Sequence, residues 1–338
     1  MGERTYPLRM VAWELTRSCN LACVHCRASA ANGPHEGELS TGECRKIIDE
    51  IVSFSTPTVI LTGGEPLMRP DLFDIVEYGE KKGLRMVIAV NGTLVDEDTA
   101  LRLKDAGIRR VSLSVDGRDG QSHDSFRGVA GSFDAVTNAA GILLKTGLPF
   151  QINTTVTALN VNELDDIYSL ARSIGAVAWH VFLLVPVGRG KELKGKELSA
   201  GDYEEVLHHL RRIETKNELE IKVTCAPHYY RIVAEDGGTP QSAGCLAGKS
   251  FMFISHRGQA QPCGYLEIDC GDVRRDGVKK VWEESEIYRD LRDLSSYRGK
   301  CGGCRYIRIC GGCRARAYEA TGDYREAEPL CSYGARNG

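Results

Sequence analysis

The chain has 338 residues, with 43 Lys and Arg against 46 Asp and Glu, so its net charge is -3 at pH 7. This balance excludes the overall basic field that gathers nucleic acid. No apolar run approaches the roughly 18 residues of a membrane-spanning helix, and the start MGERTYPLRM lacks the apolar core of a secretion signal. We therefore expect a cytoplasmic protein with no nucleic-acid partner and no membrane partner.

From residue 11 to about residue 225, strand and helix signals alternate. The first strand is expected at 11–15, and Ser40 with Glu43 forms a capping box at the head of the first helix. Apolar, β-branched runs predict strands at 58–63, 85–92, 109–117, 149–157 and 178–186, separated by helices near 70–82, 96–106, 131–146, 160–174 and 199–216. Six βα units of this kind predict an α/β fold: a parallel sheet that right-handed crossovers curl into a partial (β/α)6, TIM-like barrel. Function is then expected at the carboxyl ends of the strands.

Beyond about residue 226 the pattern changes, because helical signals become sparse and Gly-rich turns multiply. Seven of the thirteen cysteines, not counting Cys270, lie between Cys245 and the C-terminus. The cytoplasm keeps thiols reduced, so ligation of metals or clusters explains these cysteines better than disulfides do. We expect two domains, a partial barrel over 1–225 and a small cysteine-rich domain over 226–338 whose folding depends partly on metal ligation.

Cys19, Cys23 and Cys26 form a C-x3-C-x2-C array directly after the first strand. Soft thiolates suit an iron-sulfur cluster, and three of them leave one iron free to bind another molecule. The alternatives are a zinc site that lacks its fourth residue, or thiols that are close by chance. Zinc loops usually show paired C-x2-C units, so the spacing favours the cluster.

Together with the GGEP run at 63–66, after the second strand, this loop resembles the radical S-adenosylmethionine (radical SAM) enzymes. The resemblance covers residues 11 to about 225. It implies that Cys19, Cys23 and Cys26 hold a four-iron four-sulfur cluster whose open iron chelates the methionine moiety of S-adenosylmethionine (SAM), and whose reduction yields a 5'-deoxyadenosyl radical. The residues it assigns to the cofactor are Gly63, Gly64, Glu65, Pro66, Asn91, Ser114, Asp116, Arg127, Asn153 and Thr155.

The roles implied by the resemblance differ among these residues. GGEP meets the methionine amino group, and on the residues alone its two glycines permit close approach of a ligand, although GGEP is also ordinary turn chemistry. Arg127 pairs with the methionine carboxylate, for which a bidentate guanidinium is well suited. The polar residues at the strand ends contact ribose and carboxylate, while the alternative for Asp116 and Asn91 is a strand-end cap or a turn. His25 is expected near the adenine.

The cysteine-rich tail is similar to the SPASM extension, which carries two auxiliary clusters, so the resemblance implies three four-iron four-sulfur clusters in all. It assigns one complete ligand set and one set that is a ligand short: Cys301, Cys304, Cys310 and Cys331 for the first, and Cys245, Cys263 and Cys313 for the second. Cys225 is the first candidate for the missing ligand and Cys270 the second; an open iron is the other alternative. From spacing alone, two zinc sites remain open.

Longer runs such as FQINTTVTALN, WHVFLLVPVGRG and TCAPHYYRI are similar to the haem-forming radical SAM enzymes of the siroheme-dependent pathway. This resemblance implies oxidative decarboxylation of two propionates of iron-coproporphyrin III to vinyl groups, forming haem b, with an iron-porphyrin substrate and a small electron donor of the ferredoxin or flavodoxin type. An auxiliary cluster would accept the surplus electron. Contacts to the propionates are expected from Arg17, Arg189, Lys191, His180, His228 and Tyr229.

Three alternatives stay open at this point. Related tetrapyrrole enzymes deacetylate 12,18-didecarboxysiroheme or act in haem d1 synthesis, and other SPASM enzymes mature peptides. Only 18 residues precede Cys19, which leaves no room for an N-terminal peptide-recognition domain and disfavours the peptide maturase. A protein that only carries electrons or binds haem is the non-enzymatic alternative.

Overall fold

The structure is a computed structural model that describes residues 6–193, 195–240 and 244–334. Seven strands alternate with helices in its first part: β1 (Met10–Thr16), α1 (Thr41–Phe54), β2 (Thr58–Gly63), α2 (Leu72–Lys81), β3 (Arg85–Val90), α3 (Glu97–Asp105), β4 (Val111–Ser114), α4 (Gly120–Arg127), α5 (Ser132–Thr146), β5 (Phe150–Val156), α6 (Leu164–Ser173), β6 (Ala178–Leu183), α7 (Ala200–Glu214), β7 (Glu220–Thr224) and α8 (His228–Glu235). Short elements follow: β8 (Phe251–Ile254), β9 (Ala260–Gln261), α9 (Val273–Asp276), α10 (Val278–Glu284), α11 (Glu286–Arg292), α12 (Gly299–Gly302) and α13 (Arg314–Thr321).

The described strands form one open sheet in the order β7-β6-β5-β4-β3-β2-β1-β8-β9. Neighbouring strands from β7 to β8 are parallel, and only β9 is antiparallel to its neighbour. The edge strands β7 and β9 do not pair, so the sheet is not closed. The α/β class with a parallel, partly curled sheet is therefore confirmed.

Helices pack against one face of the sheet. The side chains of each strand alternate between that face and the opposite one. In β6, Trp179 and Val181 are fully buried in the main core, whereas His180 between them faces the other side of the sheet. The predicted capping box is also confirmed: the Ser40 backbone N–H donates to Glu43 Oε2 (2.8 Å), and the Glu43 N–H donates to Ser40 Oγ (3.3 Å). This closes the amino end of α1, which buries Cys44, Ile47, Ile48 and Ile51 in the main core.

The described sheet contains three strands that the sequence patterns did not indicate: β7, β8 and the two-residue β9. β7 has only five residues, EIKVT, in which charged and apolar side chains alternate. β8 comes from the cysteine-rich region and pairs with β1 in the register Met10 to Phe251. The strand that leads into the cysteine loop thus lies between strands from both parts of the chain. No described helix is long and apolar enough to cross a membrane.

Candidate active site and cluster sites

The three cysteines of the first motif lie in one compact loop after β1. Cys19 and Cys23 are buried with Leu21, Ala28 and Ala30, and Cys26 packs against this group. Backbone amides point at two of the sulfurs: Leu21 N–H donates to Cys19 Sγ and Ala30 N–H donates to Cys26 Sγ, both at 3.4 Å. All three thiols are free. Amides aimed at sulfur favour a thiolate, which is the form that binds metal.

The electrostatics of this loop suit a cationic occupant. Burial raises the pKa of Cys19 to about 11, and the negative charges of Glu65, Cys23 and Cys26 raise it further in the same direction. Three buried thiolates repel one another unless positive charge is placed among them. Iron supplies that charge and holds coordinating thiols deprotonated, so the donor set fits an iron-sulfur cluster with three protein ligands.

Arg127 connects this loop to the end of β4. Its guanidinium donates to Cys23 Sγ at 3.7 Å and forms an ion pair with Asp116. Asp116 also accepts a hydrogen bond from the Thr155 backbone N–H at 2.6 Å, and both charged groups are buried. Arg127 Nε is buried and has no acceptor among the described residues, so one N–H of the guanidinium remains available to a ligand.

The GGEP segment is joined to the cysteine loop by backbone contacts. A Cβ on Gly63 or Gly64 would clash with the carbonyl oxygens of Thr16 and Ser18. The Gly64 and Glu65 amides donate to those same carbonyls at 2.7 Å. Sequence alone predicts close approach of a ligand here; the structure shows close approach of the loop backbone. Cofactor contact by this segment stays a prediction.

Glu65 is fully buried and braces this strand end. Its two carboxylate oxygens accept hydrogen bonds from the Leu67 N–H (3.0 Å) and the Asn91 N–H (2.7 Å). Burial raises its pKa to about 7, although these two amides act in the opposite direction. The Asn91 side chain bonds Asn20 and Thr93, which agrees with the turn-residue alternative for Asn91.

One predicted auxiliary ligand set lines a single cavity of about 30 Å³: Cys301, Cys304, Cys310 and Cys331. Cys301 Sγ accepts from Arg314 Nη2 at 3.6 Å and from the Glu328 N–H at 3.4 Å. Cys310 Sγ accepts from the Gly312 N–H at 3.4 Å. Burial, reinforced by Cys331 and Cys301, raises the pKa of Cys310 to about 12. As in the first loop, N–H donors point at two of the sulfurs, and the deprotonated thiolates repel one another until a cation is bound.

Cys225 lies near the cysteines that are predicted for the second auxiliary set. Cys225 and Cys263 pack against the cluster of buried residues that contains Cys313. Burial raises the pKa of Cys225, and the charges of Cys313, Cys263 and Cys245 raise it further. Cys270 instead bonds the Ile268 carbonyl (3.7 Å) beside Tyr288. Among the described residues, no three Cys, His, Asp or Glu side chains are arranged to hold a single metal ion.

Comparison with known proteins agrees with both cysteine patterns. The family model of the radical SAM superfamily matches residues 13–171, and that of the iron-sulfur cluster-binding SPASM domain matches residues 245–314. Over 97% of its length the chain is 49% identical to the AdoMet-dependent heme synthase of Nitratidesulfovibrio vulgaris, of which 93% is covered. The chain belongs to the radical SAM superfamily. It is also 45% identical to the AdoMet-dependent heme synthase of Methanosarcina barkeri, over 96% of each chain.

The fold of this radical SAM protein is similar to a crystal structure of Streptococcus suis SuiB bound to S-adenosylmethionine. The TM-score is 0.79 over 97% of this chain and 78% of SuiB, at 18% sequence identity. At this identity the likeness concerns the fold alone. The cofactors of the protein are those of its family and its SPASM domain: a four-iron four-sulfur cluster with SAM, and further iron-sulfur clusters.

Two side chains that the sequence suggested as substrate contacts have protein partners at or beside the radical SAM cysteine loop, and their contact with the substrate stays a prediction. Arg189, after β6, donates to the carbonyls of Cys23 (2.9 Å) and Ala30 (2.7 Å). Arg17 pairs with Glu14 at 3.0 Å. Lys191 pairs with Glu319 near the surface, and His228 faces the cavity of Cys301.

Glu14 is a structural residue that sequence reasoning missed. It is fully buried and bonds Arg17 Nε (3.0 Å), Arg27 Nη1 (3.1 Å) and His256 Nδ1 (2.8 Å). Burial alone would raise its pKa, but the hydrogen bond with His256 and the charges of Arg27 and Arg17 lower it to about 2. Arg27 also stacks on Phe253 of β8 at 4.5 Å. A lone carboxylate in the apolar run VAWEL was the available signal.

Four polar side chains form a row on the face of the sheet opposite Trp179 and Val181. Ser114 pairs with Asn153, Asn153 with His180, and His180 with Lys222, in register from β4 to β7. Gln151 Nε2 connects Asn153 Oδ1 and His180 Nδ1, at 2.9 Å each. His180 Nε2 is buried without a partner in the described ranges. One end of the row therefore lies at the strand end beside Asp116.

The other end of the row reaches a large basic cavity. This cavity has a volume of about 880 Å³ and lies at the amino ends of β1 and β7. Six basic side chains line it against two acidic ones: Arg9, Arg211, Lys222, Lys249, Arg292 and Arg308 against Glu214 and Glu220. Burial lowers the pKa of Lys222, and its ammonium makes no hydrogen bond within the described part of the chain. Tyr229, another predicted contact, also lines this cavity.

Proposed function

We propose that the protein is a haem synthase that decarboxylates two propionates of iron-coproporphyrin III to vinyl groups and so forms haem b. The observation that carries the proposal is the 49% identity, over 97% of the chain, to an AdoMet-dependent heme synthase. Each conversion of a propionate to a vinyl group releases carbon dioxide and a proton and removes two electrons. The cofactors, when bound, supply a radical that takes one hydrogen atom and an acceptor for the remaining electron.

Residues of the chain itself would hold these groups. Cys19, Cys23 and Cys26 would hold the SAM-binding cluster, and Arg127 Nε offers an N–H for the methionine carboxylate. The complete auxiliary set is Cys301, Cys304, Cys310 and Cys331. For the second set we propose Cys225 with Cys245, Cys263 and Cys313. This assignment is supported by the burial of Cys225 among those thiols.

A porphyrin that carries four propionates needs cationic partners, and the basic cavity offers them. Its volume lies within the range usual for ligand sites, about 300–1,000 Å³. Lys222 is a partly desolvated ammonium that has no hydrogen-bond acceptor among the described residues, so a carboxylate would bind to it strongly. We propose that the substrate enters through this cavity and that its propionates are guided along the row from Lys222 and His180 towards Ser114.

The finer setting of the reaction is also a proposal. We propose a cytoplasmic location, supported by thirteen free thiols, which an oxidising compartment would not keep reduced. A small ferredoxin- or flavodoxin-type protein is proposed as the electron donor, because reduction of the SAM-binding cluster requires a low-potential source.

The test is anaerobic turnover of the reconstituted protein with SAM and a reductant. Iron-coproporphyrin III, 12,18-didecarboxysiroheme and a control without porphyrin would be compared by mass spectrometry. We expect haem b from iron-coproporphyrin III only, with two deoxyadenosines formed per haem. Deoxyadenosine without any change in the porphyrin would refute the proposal, and conversion of the didecarboxysiroheme would indicate the deacetylase instead. The Cys19→Ala variant should form neither product.

A further inference from the structure

His228, the first residue of α8, brings an unused polar atom into the auxiliary domain. The side chain is 1% exposed, and its Nε2 is buried without a hydrogen-bond partner among the described residues. It lines the cavity that is also lined by Cys301, Cys304, Cys310 and Cys331. Buried polar atoms are normally hydrogen-bonded, so an orphan of this kind indicates a partner that binds in the cavity.

The hydrogen bonds of the neighbouring residues indicate whether Nε2 of His228 carries a proton that it can donate. Arg316 Nη1 lies 3.5 Å from Tyr203 Oη, and a guanidinium can only donate. The Tyr203 oxygen is therefore an acceptor towards Arg316 and has its own proton to donate. His228 Nδ1 lies 3.3 Å from it. The other acceptor within reach, the Cys225 carbonyl, is farther away at 3.5 Å and is shared with Arg316 Nη2 at 3.0 Å, so His228 Nδ1, at the shorter distance, is the better acceptor for the tyrosine proton.

The direction of donation therefore runs from Arg316 through Tyr203 to His228 Nδ1. A neutral imidazole that accepts at Nδ1 carries its proton on Nε2, and a charged imidazole carries protons on both nitrogens. In either case Nε2–H is a donor, and the His228 ring that carries it lines the cavity. A donor suits an electron-rich, sulfur-bearing group there, whereas a cation would not accept from it.

Arg316, Tyr203 and His228 thus form a relay of hydrogen-bond donors, and its first member is held rigidly. Arg316 is fully buried, pairs with Glu328 at 3.1 Å and donates to the Leu184 carbonyl at 3.0 Å. Glu328 in turn accepts from the Cys313 N–H at 2.8 Å, and its own N–H donates to Cys301 Sγ. The relay is thus attached to both auxiliary cysteine sets.

We propose that His228 is a positioning residue that donates a hydrogen bond from Nε2 to the cluster held by Cys301, Cys304, Cys310 and Cys331, oriented for that purpose by Tyr203 and Arg316. The inference rests on the proposed ligand set. A hydrogen bond to cluster sulfur stabilises the more negative, reduced state and so raises the reduction potential. Loss of the donor therefore makes the cluster harder to reduce.

The test is an EPR-monitored redox titration of the full-length, reconstituted protein without porphyrin. His228→Phe should lower the midpoint potential of one auxiliary cluster, with iron and sulfide content unchanged. His228→Gln, whose amide N–H can occupy the Nε2 position, should restore most of the potential. Tyr203→Phe should shift the potential of the same cluster in the same direction by a smaller amount.

A matched control is His209→Phe, because His209 is partly exposed and pairs with Asp165 on the outer helices; its potentials should equal those of the wild type. Unchanged potentials in His228→Phe would overturn the proposal. Loss of iron in that variant would also overturn it, since His228 would then be a ligand. The titration contains no porphyrin, so the potentials can be measured even if the protein does not synthesise haem. If the proposed cysteines do not hold a cluster, the wild type itself will lack the corresponding iron.

Discussion

Glu14 shows how much of the site depends on one buried charge. It is the common partner of Arg17, Arg27 and His256, which come from the cysteine loop and from the region after β8. Removing one member of a buried ion network leaves the others uncompensated in a low-dielectric setting. The carboxylate therefore stabilises the position of the loop as well as the fold.

We expect Glu14→Gln to lower the free energy of unfolding by about 3–5 kcal/mol, because two guanidinium groups lose their buried anion. The measurement is the thermal unfolding midpoint under anaerobic conditions. Glu218→Gln is the matched control, since Glu218 pairs with Arg172 at 3.0 Å on the exposed surface and such pairs contribute at most about 1 kcal/mol. Equal losses in both variants would contradict the assigned role of Glu14.

The raised pKa of Glu65 predicts a pH dependence of stability. This carboxyl titrates near 4.5 when unfolded and at about 7 when folded. Between these values the folded state holds a proton that the unfolded state has released, so stability falls as pH rises through this window, by about 3 kcal/mol. The thermal midpoint should therefore fall further between pH 5.5 and pH 8 for the wild type than for Glu65→Gln, which cannot ionise. Parallel pH profiles for the two proteins would exclude this titration.

At the scale of elements, the contact between the end of β2 and the cysteine loop leaves no space for a side chain. We expect Gly64→Ala to displace the loop, because its Cβ would clash with the Ser18 carbonyl. The variant should lose one cluster's iron and all SAM cleavage while the auxiliary clusters remain. The readouts are iron content and deoxyadenosine formation. Gly141→Ala in α5, where a Cβ meets nothing within 4 Å, should retain both.

Local patterns predicted much of the sheet but not its full width. Strands such as 58–63 and 178–186 were predictable because buried β-branched runs between amphipathic helices form few structures other than strands of a parallel sheet. β7 was not, because EIKVT is short and half charged. The pairing of β8 with β1 joins Phe251 to Met10, and no local pattern encodes a contact across 240 positions.

The same limit applies to the site. The three-cysteine loop is contiguous, so its spacing indicated its chemistry. Sequence spacing does not predict where Arg189 and Lys222 lie in the fold. Arg189 contacts the cysteine loop from the end of β6, and Lys222 completes a row of polar side chains across four strands. Both placements result from strand register and crossover geometry, which form only when the whole sheet assembles.

At the scale of the whole molecule, charge is distributed unevenly although the net charge is only -3. We expect Lys222→Gln to weaken binding of iron-coproporphyrin III by roughly tenfold or more, because a charged hydrogen bond contributes about 1.5–3 kcal/mol. Titration of the porphyrin absorbance gives the affinity, and SAM cleavage without porphyrin should be unchanged. Lys81→Gln, at an exposed pair with Glu77, is the control. Unaltered affinity in Lys222→Gln would place the porphyrin elsewhere.

The pairing of β1 with β8 also sets an order of events during synthesis. One edge of β1 has no partner until residue 254 has left the ribosome, so the strand that carries the cysteine loop stays open on that side through most of translation. An unpaired edge invites association with other chains. Cluster insertion into a stable loop therefore belongs to the completed polypeptide, and a fragment that ends at residue 225 would expose this edge permanently and aggregate.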